Sequence, residues 1–260
     1  MPQPLTLITG ASAGIGENLA EVFAQHGHDL ILAARRRDRL EALAGRLSGS
    51  TGVKAYCFES DLATAGGPRS LYAAIREAGH EVGILVNNAG VLTEGPFLDA
   101  DLDQHRQIVA LNVRALMELS HLFGNDMRAR KSGRILNICS TSAFQPVPAL
   151  ATYAASKAFV LSLSESMAIE NAEHGLTVTA LCPGFVKTDM IARDSGGHMS
   201  VPGVPVLGPR EVAEQGYRAL MKGKPLYVNG LGNRLVKSVL NTPPRWAARR
   251  FSAYLYRKGF

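Results

Sequence analysis

The chain has 260 residues, is 46% hydrophobic, carries a formal net charge of +6 and contains three cysteines. That is enough apolar residue for one α/β domain with a large core, and it excludes a disordered chain. No apolar run approaches the ~20 residues of a membrane span, and Cys57, Cys139 and Cys182 have no metal-type spacing and cannot all pair, so buried free thiols in a reducing, cytoplasmic compartment are expected.

The first strand-like run is Leu5–Thr9, so early that no signal peptide is expected before it. It leads into Gly10-Ala11-Ser12-Ala13-Gly14-Ile15-Gly16 and then the helix-forming stretch Glu17–Ala24. Strand, glycine turn and helix in this order suit a pyrophosphate. Glycines let the backbone come close, and a helix N-terminus offers unpaired N–H groups and a positive dipole end. The spacing is T-G-x-x-x-G-x-G rather than G-x-G-x-x-G.

The second strand-like run, 28–34, ends at Ala34 and is followed by Arg35-Arg36-Arg37. A dinucleotide without a 2′-phosphate is usually held here by an acidic residue on the ribose hydroxyls, and Ala34 cannot play that part. Arg35 can form charge-assisted bonds to a 2′-phosphate, with Arg36 in support, whereas Arg37 begins a solvated helix. Further strand-like runs fall near 53–58, 83–87, 133–140, 176–182 and 225–228 and alternate with helix-like stretches. The alternation implies a doubly wound parallel sheet covered by helices on both faces, with ligands bound beyond the carboxyl ends of the strands. Gly10, Asn88, Ser140 and Pro183 all follow strand ends and would gather at that edge. There is no internal repeat and no linker, so one domain is expected over 1–230.

Tyr153 and Lys157 stand four apart at the start of a strongly helical stretch, so their side chains share a face. A lysine ammonium beside a phenol stabilises the phenolate and should lower the tyrosine pKa, making Tyr153 a proton donor or acceptor near neutral pH. Asn112 interrupts an apolar run, and a buried asparagine in a helix usually bonds locally.

Together the glycine turn and the Tyr153–Lys157 pair resemble the classical short-chain dehydrogenase/reductase family, over about Leu5 to Val228. Other landmarks follow in family order. Asp61-Leu62 resembles the adenine-ring contact, Asn88-Ala89-Gly90 the structural motif beside the cofactor, and Pro183-Gly184 through Val186 and Thr188 the segment that holds the nicotinamide. The resemblance implies a Rossmann-type fold and a cofactor site of Gly10, Ser12, Gly14, Ile15, Gly16, Arg35, Arg36, Asp61, Leu62, Asn88, Ala89, Gly90, Tyr153, Lys157, Pro183, Gly184, Val186 and Thr188. The family's second basic site, before the middle glycine, is Ala13 here, so NADP(H) preference would rest on Arg35. It also implies a catalytic group of Asn112, Ser140, Tyr153 and Lys157, with Asn112 holding a water that relays protons. Ser140 precedes Tyr153 by thirteen residues, the family spacing, although Thr141 and Ser142 are neighbouring hydroxyls. The implied reaction is carbonyl reduction or its reverse, without a metal, in a homo-oligomer (dimer or tetramer).

Substrate contacts are expected from Ser140, Phe144 and Tyr153, from 92–97, from 143–150 and from an apolar, glycine- and proline-rich lid at about 189–208. Phe144 replaces a small residue common in the family and would narrow the pocket. Apolar walls suit lipophilic ketones, acyl groups or quinones.

After Glu214 there is no acidic residue but there are ten basic ones, from Arg218 to Lys258, so the rest of the chain is net acidic. The extension 231–260 is also rich in aromatic and aliphatic residues, such as Trp246, Tyr254 and Phe260. It could lie on an anionic membrane surface or pack on its own domain or a neighbouring subunit. No recognition motif accompanies the charge, which disfavours nucleic acid. The expectation is an NADPH-dependent carbonyl/alcohol oxidoreductase. The rival readings are a non-catalytic nucleotide sensor, which would have no use for a proton donor, and a membrane-surface or partner-binding protein acting through its tail.

Overall fold

The computed structural model describes residues 4–187 and 206–230, together with Arg250 and Ala253. The expected substrate lid, apart from 206–208, and almost all of the basic extension lie outside the described residues. Seven strands, β1 (Leu5–Thr9), β2 (Leu30–Ala34), β3 (Ala55–Glu59), β4 (Val82–Asn87), β5 (Gly133–Ile138), β6 (Leu176–Cys182) and β7 (Leu226–Val228), form one parallel sheet in the order β3-β2-β1-β4-β5-β6-β7. The order reverses at β1, which places a crevice between the carboxyl ends of β1 and β4.

Both faces of the sheet are buried, so successive residues of one strand enter different cores. Leu7, Ile31, Ala33 and Leu85 pack against α3 (Gly67–Glu77) and α5 (Leu116–Ala129), whose Leu71, Ile75, Leu119 and Phe123 share that cluster. Ile8, Leu30, Leu32 and Val86 face the other way, into α1 (Gly14–Gln25), α2 (Arg37–Thr51) and α7 (Pro209–Met221). Their partners there include Leu19, Phe23, Leu40, Val212 and Leu220. This explains why the strands read as continuous apolar runs rather than as alternations.

One polar chain crosses the first core. Asn87 on β4 is in register with Asn137 on β5. Asn87 Nδ2 donates to Ser120 Oγ and to Asn137 Oδ1, both at 2.9 Å, and Asn137 Nδ2 donates to Ser164 Oγ at 2.9 Å. All four residues are buried. The chain links the two central strands to α5 and to α6 (Ala151–Glu170).

Several boundaries differ from the sequence reading. His28 is not part of β2, because its N–H caps the end of α1 at Phe23 O (3.1 Å). Strand β5 stops at Ile138, two residues before Ser140, whose hydroxyl instead accepts from Ser142 N (3.1 Å) and caps a 3-10 turn, Thr141–Phe144. Between α4 (Leu102–Ile108) and α5 the helix does not break but widens into a π turn, Val109–Ala115. Of the three free cysteines, Cys139 and Cys182 are buried as expected, whereas Cys57, near the sheet edge, is only part-buried.

Candidate active site

The glycine turn is built by close approach. Gly10 has φ +66°, and Gly16 lies so near Gly10 O and the Asn88 amide that a methyl group there would collide with both. Asn88 Nδ2 donates to Thr9 O (2.9 Å) and Gly10 O (3.2 Å). Thr9 Oγ1 donates to Val86 O (3.2 Å) and accepts from Asn88 N (3.0 Å) and Ala89 N (3.1 Å). Sequence reasoning missed Thr9 as a site residue; its place immediately before Gly10 was the available signal. With this lacing, the β1 and β4 ends hold the turn against the crevice, and α1 begins behind it at Gly14 with no side chain capping its first turn. Free N–H groups and a positive dipole end at a cradle that only glycine fits suit a pyrophosphate.

The two arginines after β2 differ. Arg35 is exposed, while Arg36 is part-buried and donates through Nη2 to Ser12 Oγ (2.9 Å) and Ser12 O (3.4 Å). Arg36 therefore reaches across to the glycine turn itself, a closer part than mere support. Strand β2 itself ends at Ala34 without a carboxylate, although Glu59 of β3 stands in register with it, and the two arginines that follow could hold a 2′-phosphate.

Three expected cofactor residues have their side chains engaged elsewhere. Leu62 is buried in the core with Leu71 and Ile75. The Asp61 carboxylate accepts from Ala63 N (2.9 Å), forming a turn. Val186 is buried against α7, so it offers a ligand only its backbone. Pro183 and Gly184 do follow β6, where Pro183 O accepts from Thr141 N (2.9 Å). Thr188 lies outside the described residues. Val186 pairs with Leu207, and Leu207 is itself buried, so this residue of the expected lid serves the core, whereas Val206 beside it is exposed.

Asn112 lies in the π turn and is buried, yet it does not bond locally as a helical asparagine usually does. Its Nδ2 donates to Val91 O (2.9 Å) and Ser156 Oγ (3.2 Å), and its Oδ1 accepts from Val91 N (2.9 Å). The widened turn frees the amide to cross to two other elements, a common use of π turns at functional sites. Ser156, which sequence reasoning also passed over, donates to Tyr153 O at 2.6 Å. A serine one turn after Tyr153 was its only signal.

Tyr153 and Lys157 share a face of α6, as their spacing requires, with Lys157 Nζ 5.6 Å from the Tyr153 ring centroid. Lys157 is buried and Nζ donates to Ile138 O at 2.9 Å. The expected lowering of the Tyr153 pKa is overturned here. Burial pushes the phenol up to about 12, against a hydrogen bond with Ser140 that favours the phenolate. Burial also pushes Lys157 down, opposed by Cys139 and Cys182. Desolvation penalises both charged forms and is the largest influence on each. Ser140 Oγ also lies 3.2 Å from Ser142 Oγ, within hydrogen-bond reach. Phe144 is half-buried, packed against the Leu116, Val160 and Val228 cluster, so part of its ring serves the core rather than a pocket.

Taken together, the parallel sheet, its switch point and the polar group at one edge define a dinucleotide-binding α/β protein of Rossmann type. The comparisons go further: a family model described as short chain dehydrogenase matches residues 4–197. The chain belongs to the short-chain dehydrogenase/reductase family. It is 38% identical over 193 residues to oxidoreductase UcpA of Salmonella typhimurium, covering 73% of each chain. Among solved structures, a short-chain dehydrogenase from Sphingobium yanoikuyae in complex with NADPH superposes with a TM-score of 0.82 at 32% identity, covering 99% of this chain and 94% of the other. A bulky-bulky ketone specific alcohol dehydrogenase from Comamonas testosteroni gives 0.78 at 27% identity, with 94% and 96% covered.

Proposed function

We propose that this chain is an NADPH-dependent oxidoreductase that interconverts a lipophilic carbonyl compound and a secondary alcohol. The observation that carries this reading is the meeting, at one edge of the sheet, of a glycine cradle with Ser140, Tyr153 and Lys157. Bound NADPH would supply the hydride, a chemistry that belongs to the cofactor.

The chain supplies the rest. Gly10, Gly14 and Gly16 would admit the pyrophosphate, and Arg35 and Arg36 would hold the 2′-phosphate. The Ser140 hydroxyl turns from Ser142 towards the substrate oxygen, donating a hydrogen bond where charge develops. Tyr153, protonated through the neutral range, gives its proton to that oxygen. Lys157 Nζ stands 5.6 Å from the phenol ring centroid, and Asn112 ties Val91 to Ser156 on the same helix as the pair. In alcohol oxidation the same groups act in reverse.

NADPH preference is supported by the missing acid after β2 and by the NADPH complex of the Sphingobium relative. A lipophilic carbonyl is supported by the apolar residues around 92–97 and by the bulky ketones of the Comamonas relative. A homo-oligomer is supported by large apolar side chains left exposed on the α4–α5 rod and on α6, among them Val109, Met117, Phe159 and Ile169. The test is a screen of ketones, aldehydes and secondary alcohols with NADPH or NADP, read by absorbance at the cofactor band. Turnover of a ketone or its alcohol is expected. Tight NADPH binding with no turnover of any compound would favour a nucleotide sensor instead.

A further inference from the structure

The loop at 91–100 leaves the sheet beside the proposed catalytic group. A methyl group placed on Gly90 would lie 3.2 Å from Asn112 Oδ1 and 3.7 Å from Lys157 Nζ. The loop is then fastened at three points: to Asn112 in the π turn, to Ala149 just before α6, and through His105 to Thr152 in the first turn of α6. At its start, Asn112 takes both Val91 N and Val91 O. In its middle, Gly95 N donates to Ala149 O at 2.9 Å, and Ala149 holds φ +64°, an uncommon conformation for a residue with a side chain. At its end stands His105, on α4. Its Nε2 is 3.0 Å from Phe97 O and its Nδ1 is 2.9 Å from Thr152 Oγ1, while its ring stacks on Phe97 with centroids 4.6 Å apart.

The partners fix the roles. A backbone carbonyl only accepts, so in the neutral ring Nε2 carries the hydrogen and donates to Phe97 O. Nδ1 is then the acceptor, and the Thr152 hydroxyl donates to it. Both nitrogens are satisfied by one tautomer. Thr152 adjoins Tyr153 in the first turn of α6, so His105 joins the end of the loop to the residue next to the proposed proton donor.

We propose that His105 is a positioning residue that ties the 91–100 loop to the start of α6 and so fixes the wall of the carbonyl pocket beside Tyr153. It rests on the reading of that pocket as a carbonyl site. A fixed wall holds a bulky ketone against the phenol without the loop being ordered anew at each binding event. The tether acts on substrate binding more than on the proton transfer itself.

Three variants separate this from a merely structural role. His105→Phe keeps the ring against Phe97 but loses both hydrogen bonds. His105→Gln offers one amide donor for Phe97 O and one acceptor for Thr152. Thr152→Val keeps the shape and removes the hydroxyl. Amide hydrogen exchange of the folded protein should show peptides covering 91–100 exchanging about tenfold faster in His105→Phe and Thr152→Val, the scale of one or two neutral hydrogen bonds. His105→Gln should restore protection, and peptides from the sheet should not change. With the ketone that the screen above returns, KM should rise about tenfold in the first two variants, with kcat within about twofold and NADPH affinity unchanged.

Unchanged exchange of 91–100 in both His105→Phe and Thr152→Val overturns the tether. So does a loss of kcat at constant KM that His105→Gln fails to rescue. The exchange arm needs no turnover, so it judges the tether even where the screen finds no substrate and the functional reading fails.

Discussion

Tyr153 keeps its proton through the neutral range because burial favours the neutral phenol. The side chain is thereby set for donation, and carbonyl reduction should show no loss from Tyr153 between pH 6 and pH 9. Alcohol oxidation needs the phenolate and should accelerate as pH rises towards about 12, which a pH–rate profile in both directions would show. Tyr153→Phe removes the transferable proton and keeps the ring. NADPH binding should survive while turnover falls by ~10² or more; near-normal turnover would mean that another group is the acid. At the other end of the crevice, Arg35→Ala should weaken NADPH binding by ~1.5–3 kcal/mol, the scale of a charge-assisted hydrogen bond, and leave NADH binding little changed. Titration calorimetry with both nucleotides decides this. Equal losses would assign Arg35 a structural part and leave the phosphate to Arg36, which already reaches Ser12.

At the scale of elements, the polar chain from Ser120 through Asn87 and Asn137 to Ser164 pins β4 and β5 to the helices on one side of the sheet. In parallel strands buried on both faces the apolar pattern alone specifies register weakly, and a cross-strand amide pair removes the ambiguity. Asn137→Ala would leave the Asn87 amide without its cross-strand acceptor. It should cost ~1–3 kcal/mol, the desolvation penalty of a buried group left unpaired, read from the urea midpoint at constant m-value. A cost below ~0.5 kcal/mol would show that the site relaxes or admits water. The π turn between α4 and α5 belongs to this scale too. Its extra residue places Asn112 where both Val91 and Ser156 are in reach. Nothing in Leu111-Asn112-Val113 announces it, since a π turn differs from an α turn only in which carbonyl each N–H finds.

For the whole molecule, the uneven spread of charge along the chain is the feature that bears on partners. After Glu214 there are ten basic residues and no acidic one, and the seven in 231–260 are interleaved with apolar residues. We propose peripheral contact of this extension with anionic membranes. The full chain should then pellet with anionic liposomes and be partly released as salt rises, because exposed charge is screened over ~8–10 Å at physiological ionic strength. A chain ending at Gly230 should stay in the supernatant. If the shortened chain instead precipitates and the full chain ignores liposomes, the extension packs on the domain or on a second subunit. Sedimentation of both chains without liposomes reports the oligomer at the same time.

The sequence by itself determined the parallel sheet, the nucleotide crevice and the Tyr153–Lys157 pair. Each is local: a strand is a short apolar run, a glycine turn a spacing, and a catalytic pair on one helix an interval of four. Boundaries already escaped that logic. Cys139 and Ser140 look like more of β5, but Ser140 spends its hydroxyl on the next turn. Tertiary structure alone decided the rest. Thr9 laces β1 to β4, Leu62 and Val186 turn into the core, and His105 finds Thr152 across the chain. It also decided the sign of the Tyr153 shift. Proximity to Lys157 could be read from an interval of four, but desolvation depends on what other elements pack around the pair, and no interval along the chain records that.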